Sequence, residues 1–375
     1  MRVKIELMRA ALAFISLSIA GCAPGFAQPS RHTARPITEA MVREVQRSAI
    51  LIDTHNDVPS RTVNGFDIGT HAADGHTDIA RLREGGVGAV FFAVYVAASY
   101  AKDHTAAHRA LDMIDTVRHD IVAAHPDDFL LATSAAEIEA AHRRGRIAAL
   151  MGLEGGHALE DDPRLLRDFY ALGVRYVTLT HTNTNNWADS SGDITDRAVK
   201  HHDGLTDLGR RMVAEMNRLG MMVDISHVSD KTFYDVLAVA KAPPIASHSS
   251  CRALSDVPRN MTDEMIVALA KSGGVIQINF DCEFLAKSKP QVPATLADVV
   301  AHIDHVVKIA GIGAVGIGTD FDGVSCTPTG LEDPSKFPNL TRALLEKGYT
   351  PDEIRQIYGG NTLRLMRAVE KAREP

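Results

Sequence analysis

Six side chains of the types that hold divalent metal ions each come at the end of a short apolar run in this sequence. His55 and Asp57 close the stretch Ala49-Ile50-Leu51-Ile52-Asp53-Thr54-His55-Asn56-Asp57, and Glu154 sits in Gly152-Leu153-Glu154-Gly155-Gly156. His227 ends Asp224-Ile225-Ser226-His227, His248 ends Ala246-Ser247-His248, and Asp320 ends Gly316-Ile317-Gly318-Thr319-Asp320. Imidazole nitrogens mixed with carboxylate oxygens suit zinc, a borderline-soft ion, and one carboxylate can bridge two such ions. Residues two apart on a strand point the same way, so His55 and Asp57 aim together. Each of the six has a structural explanation when taken alone: Glu154 as a helix cap, His227 or the neighbouring His181 as a satisfied core imidazole, Asp320 as a loop brace. Their joint recurrence at the ends of apolar runs points instead to one site. The glycines around Glu154 would let backbone or metal approach it closely.

Such a site needs a scaffold that delivers many strand ends to one rim. Apolar runs at residues 88–96, 147–153, 175–180, 221–225, 245–247, 274–279 and 314–318 read as strands, and the opening run Ile50, Leu51, Ile52 makes eight. Helical spacing falls between them at residues 105–124, 135–143, 164–171, 206–219, 230–240, 262–272 and 296–310. A further helix over residues 37–47, capped by Thr38, leads into the first strand. Eight strands alternating with helices predict an α/β fold, a parallel (β/α)8 barrel of TIM type, in which function gathers where the strands finish. Residues 351–358 and 361–371, separated by Gly359-Gly360, are expected as extra C-terminal helices that cover the barrel.

The 375 residues carry a net charge of -7 with no long basic run, which argues against a nucleic-acid partner. The chain begins with Arg2, Lys4 and Arg9, followed by an apolar run over residues 10–20 that is too short to stay in a membrane. Its ending, Ile19-Ala20-Gly21-Cys22, resembles a bacterial lipobox, with Cys22 lipidated as the mature N-terminus; cleavage after Ala27 is the competing reading. Residues 1–22 are thus expected as a lipoprotein-type signal, 23–36 as a tether and 37–375 as a single barrel domain. Either processing route exports the protein to the cell envelope, lipid-anchored or periplasmic. Disulfides can form there, and Cys251, Cys282 and Cys326 allow one disulfide plus a free thiol, or three buried thiols.

Taken in order, Asp53-Thr54-His55-Asn56-Asp57, Leu153-Glu154-Gly155-Gly156-His157, Thr178-Leu179-Thr180-His181, Asp224-Ile225-Ser226-His227-Val228-Ser229, Ser247-His248-Ser249-Ser250, Pro258-Arg259-Asn260 and Gly318-Thr319-Asp320-Phe321-Asp322-Gly323 form a specific set. The chain resembles the membrane dipeptidase (renal dipeptidase) family, dinuclear zinc peptidases of the amidohydrolase-like barrel type, over nearly everything from Ile50 to Met366. The resemblance implies two zinc ions per chain: one held by His55 and Asp57, the other by His227 and His248, with Glu154 bridging. A water shared by two zinc ions has a lowered pKa and becomes a nucleophile near neutral pH. The resemblance further implies that Asp320 takes that proton and passes it to the leaving amine. It gives His181 the oxyanion of the tetrahedral intermediate, and Arg259 the substrate's terminal carboxylate. The implied reaction is hydrolysis of free dipeptides, with D-residues tolerated on the C-terminal side, by a chain that could form a homodimer. The same first shell would serve another amide, lactam or ester. A non-catalytic envelope lipoprotein that binds peptides or metal would be expected to lose Asp320 or Glu154, and both are present.

The sequence also departs from the family's pattern. A tyrosine is expected soon after the Asn-Phe pair of the seventh strand, where Asn279-Phe280 is followed by Asp281. The only tryptophan, Trp187, reads equally as a wall of the pocket or a plug under its loop. His157 is expected to orient a ligand. His104, His108 and Asp112, and likewise His201, His202, His302 and His305, are expected on solvated faces.

Overall fold

The strands that sequence periodicity suggests lie side by side and all parallel in the computed structural model, which describes residues 36–286 and 293–374. The signal segment, Cys22 and all but the last residue of the expected tether fall outside the described residues. In chain order the strands are β1 (Leu51–Asn56), β2 (Val87–Tyr95), β3 (Phe129–Leu131), β4 (Ile147–Glu154), β5 (Val174–Thr178), β6 (Met222–Asp224), β7 (Ile245–Ser249), β8 (Val275–Ile278) and β9 (Val315–Ile317). Pairing of β2 with β4 closes the ring β1-β2-β4-β5-β6-β7-β8-β9, an eight-stranded (β/α)8 barrel. The ninth strand, β3, pairs only with the start of β4, Phe129 to Ile147 through Leu131 to Ala149. At three residues it is too short to show an alternation, and sequence reading passes over it.

Helices start where the chain offers a side-chain oxygen to unpaired backbone N–H groups. Ser134 accepts from Glu137, Asp162 from Arg164, Thr206 from Gly209, Ser229 from Thr232 and Thr262 from Met265. Each such cap contributes about 1 kcal/mol. The helix expected over residues 105–124 is α-helical only over Ala106–Thr116 and continues as a π-helix, Val117–Ala123.

Two apolar layers result. Ile52, Phe91, Leu150, Tyr176, Met222, Ile245 and Val275 share one cluster with Leu363, Leu365, Met366 and Val369 of the closing helix Asn361–Lys371. That helix covers the strand starts, as expected. Gly359 passes so close beneath β1 that a Cβ there would lie 2.0 Å from the Ile50 carbonyl oxygen. A larger cluster fills the space between strands and surrounding helices, including Phe92, Phe169, Val213 and Met216. Both layers support the strand starts and middles and leave the strand ends to polar residues. Among the described residues, no helix is long and apolar enough to cross a membrane.

Candidate active site

At the strand ends, residues far apart in the chain converge on Glu154. Its Oε1 lies 3.1 Å from His227 Nε2 and 3.3 Å from His248 Nε2, while its Oε2 lies 3.4 Å from His55 Nε2. His55 Nε2 is also 3.2 Å from Asp57 Oδ2. Asp320 joins the His55 and Asp57 end, all three offering ligand atoms within 4.8 Å of one another. A Cβ on Gly323 would lie 2.4 Å from Asp320 Oδ1 and 2.5 Å from Asp57 Oδ2, so only glycine lets both carboxylates reach the mouth. The β1 pairing slips register between Asp53 and Asn56, the kind of bulge that re-aims side chains at an active-site rim. His227 (φ 66°) and Asp320 (φ 65°) hold left-handed backbone, which costs a non-glycine residue about 1 kcal/mol or more.

Two of the histidines, His55 and His248, are oriented from behind. The Tyr176 hydroxyl lies 2.8 Å from His55 Nδ1 and donates to the Thr54 carbonyl at 3.1 Å. With its hydrogen spent on Thr54, the phenol oxygen accepts from Nδ1–H and turns Nε2 toward the carboxylates; burial works to lower the imidazole's pKa, but Tyr176 and the Glu154 and Asp57 charges hold it well above its ordinary value. His248 repeats the arrangement: Ser247 Oγ stands 2.7 Å from Nδ1 and donates its hydrogen to the Asp224 carboxylate. Asp224 also takes Thr178 Oγ1 and the backbone N–H groups of Ser226 and Ser247. A hydroxyl held by a carboxylate and backing a histidine is the outer-shell pattern of metal ligands. Asp53 ties β1 to β9 through the Thr319 N–H and hydroxyl, and burial pushes its carboxyl up to about 6.

The cluster fits a cation. His55 Nε2 and Asp57 Oδ2 are buried without a hydrogen-bond partner, a costly state for polar atoms. His227 and His248 bring their Nε2 atoms to 2.9 Å, and burial, with the Arg259 charge beside both and His55 beside His248, keeps these imidazoles well below their ordinary pKa. Neutral imidazoles are the form that binds metal. Burial works to raise the Glu154 carboxyl, but His55, His181, His227 and His248 overwhelm it and hold it well below the usual range. Asp320 goes the other way, raised well above its ordinary value by burial and by the Asp57 and Glu154 charges. Asn279 donates to its Oδ2 at 2.8 Å.

The remaining expected residues line the same mouth. His181 Nε2 is 3.8 Å from Glu154 Oε1, and its ring packs 4.6 Å from His227 and edge-on to Tyr95. Arg259 donates to the His248 carbonyl and to Ser249 Oγ, leaving a buried Nε without a partner. Among the described residues no carboxylate is in ion-pair contact with it, so this largely buried cation invites an anion. Asp281, in place of the expected tyrosine, caps the Glu283 N–H at 2.7 Å and starts the helix Cys282–Ala286.

Several expectations need correction. The glycines beside Glu154 make room for aromatic rings and, at Gly156, for backbone as expected, a Cβ there lying 2.4 Å from the Leu179 carbonyl oxygen. A Cβ on Gly152 would lie 1.9 Å from the Tyr176 ring and one on Gly156 2.4 Å from Trp187. Trp187 is fully buried, a plug and not a wall. His157 is buried beside Gly155 without a hydrogen bond to any ligand. His104 and His108 are exposed, and His108 stands 3.8 Å from Asp112, as expected of a solvated face. That expectation fails for His302, which is fully buried, accepting from Cys251 N–H and donating to the Leu285 carbonyl. It also fails for His201, His202 and His305, which are half-buried against Asp193, Asn185 and Asp263. Cys282 and Cys326 form a disulfide and Cys251 is a buried thiol. Sequence reading assigned no role to Tyr176, Ser247, Asn279 or Tyr95.

A closed parallel barrel whose strand ends gather imidazoles and carboxylates around one shared Glu defines a metal-dependent hydrolase. The sequence profile of the membrane dipeptidase family, peptidase family M19, matches residues 39–375. The chain belongs to that family and is a metallo-dipeptidase. It is 40% identical over 336 residues to dipeptidase verJ of Clonostachys rogersoniana, covering 86% of this chain and 84% of that one. It is 36% identical over 355 residues to the uncharacterized dipeptidase C965.12 of Schizosaccharomyces pombe, covering 90% of this chain and 84% of that one. Among solved structures it superposes on a metallo peptidase from Rhodobacter sphaeroides liganded with a phosphinate mimic of L-Ala-D-Ala. The TM-score is 0.78 at 28% identity, over 86% of this chain and all of that one.

Proposed function

We propose that this dipeptidase works with two zinc ions, His55 and Asp57 holding one, His227 and His248 the other, and Glu154 shared between them. The observation that carries the reading is the convergence of three imidazole Nε2 atoms on the two oxygens of Glu154. Bound there, the ions would lower the pKa of a water and polarise the scissile carbonyl.

The chain's own residues supply the rest. Arg259, a largely buried cation whose Nε–H has no partner, anchors the substrate's terminal carboxylate at the β7 end of the mouth. His181, partly exposed and 3.8 Å from Glu154, donates to the oxygen that gains negative charge as the carbonyl is attacked. Asp320 takes the proton of the attacking water and gives it to the leaving amine. Asn279 holds one of its oxygens, and the other faces Asp57 across Gly323. A D-residue at the C-terminal position is accepted, a reading supported by the L-Ala-D-Ala mimic bound to the Rhodobacter relative. The first 22 residues are read as a lipoprotein signal that exports the enzyme to the envelope and leaves a lipid on Cys22.

The test is a panel of L,L and L,D dipeptides and tripeptides presented to purified, zinc-loaded protein. Cleavage of dipeptides in both series with tripeptides spared is the expected result. Full metal occupancy with no turnover of any dipeptide overturns the reading and points to another amide, lactam or ester.

A further inference from the structure

Tyr95 is the last residue of β2 and stands in register with Glu154 of β4. Paired residues on parallel strands point to the same side of a sheet, so its phenol shares the mouth with that carboxylate. The ring meets His181 edge-on, with centroids 4.9 Å apart. The residue is half-buried, and its hydroxyl has no hydrogen-bond partner among the described residues. Burial raises its pKa, and the Glu154 and Asp57 carboxylates in its field raise it further.

Ring order gives this position its meaning. Passing through β1, β9 and β8, or through β4, β5 and β6, β2 is the strand opposite β7. Arg259 bonds to His248 and Ser249 of β7, so Tyr95 and Arg259 face each other across the cluster. A dipeptide whose carboxylate is held by Arg259 and whose peptide bond lies over Glu154 must point its N-terminal residue at β2. Resting on the dipeptidase reading above, we propose that the Tyr95 hydroxyl recognises the N-terminal end of the substrate by accepting a hydrogen bond from its free α-ammonium group. The phenol oxygen is a hydrogen-bond acceptor at the β2 end of the mouth, in register with Glu154 and against the His181 ring. The enzyme then reads both ends of its substrate, which selects molecules two residues long.

The test uses a phosphinate mimic of a dipeptide and its desamino counterpart as competitive inhibitors of the zinc-loaded wild type and of Tyr95→Phe. The variant keeps the ring on His181, and its metal content is measured alongside. Tyr95→Phe is expected to weaken the amino-bearing mimic by about tenfold and to leave the desamino mimic within about twofold of wild type. Equal weakening of both mimics, or of neither, overturns the proposal while leaving the dipeptidase reading intact. Metal-loaded wild type that binds neither mimic brings down the reading itself, and the proposal with it.

Discussion

The phenol of Tyr176 sits between His55 Nδ1, 2.8 Å away, and the carbonyl oxygen of Thr54, 3.1 Å away, and so decides which nitrogen of His55 faces Glu154. Gly152 is the condition for this contact, since a side chain there would occupy the ring's space. The contact links a glycine on β4 and a tyrosine on β5 to a histidine on β1.

Tyr176→Phe removes the acceptor and keeps the ring. The His55 tautomer is then no longer enforced, and zinc affinity is expected to fall about 10- to 100-fold. Titration against a competing chelator measures it. An unchanged affinity would show that His55 needs no orientation from behind.

Asp320 lies three residues past the end of β9, the proposed assignment does not need it to hold an ion, and Asn279 donates to its Oδ2. Asp320→Asn is therefore expected to keep both metals while kcat drops by about 100-fold or more. Metal analysis beside steady-state kinetics separates the two effects. A kcat equal to wild type would remove Asp320 from proton transfer.

His302 carries a pH dependence remote from the site. Burial lowers its pKa to about 4 from the ordinary 6.5, and in the neutral form it accepts from Cys251 N–H and donates to the Leu285 carbonyl. Between those two values the unfolded chain binds the proton and the folded chain does not, so stability falls as pH drops from 6.5 toward 4. The full loss is about 3 kcal/mol. His302→Gln can keep both hydrogen bonds without titrating, and its denaturation midpoint should vary less over that pH range. An identical pH slope in wild type and variant would contradict the assignment.

The disulfide Cys282–Cys326 closes a loop of sequence separation 44 between the segments that follow β8 and β9, next to Asn279 and Asp320. Loop-closure entropy for that length gives stabilisation of about 2–4 kcal/mol. The double variant Cys282→Ser, Cys326→Ser should melt several degrees lower. An unchanged Tm would mean that packing alone holds the two loops.

Much of this was legible in the sequence because a parallel barrel writes its strands as short apolar runs and places its chemistry at their ends. His55, Asp57, Glu154, His227, His248 and Asp320 all follow such runs, and all six meet at one rim. What escaped depends on contacts across the ring. Nothing local marks Tyr176 as the partner of His55, or Asp224 as the residue that fixes Ser247 behind His248. The glycines at the end of β4 suggest room for backbone or metal, and the rings that they also admit, Tyr176 and Trp187, come from another strand and a loop. His302 looked like a surface histidine because its partners, Cys251 and Leu285, lie 51 and 17 residues away. The short β3 has no pattern of its own and exists by pairing with the start of β4.

Crystals of the zinc-loaded protein, measured for anomalous scattering on either side of the zinc absorption edge, test the central assignment most directly. Two peaks are predicted, one against His55 and Asp57 and one against His227 and His248, each within bonding distance of a different oxygen of Glu154. A single peak, or two peaks that leave Glu154 unligated, would contradict it.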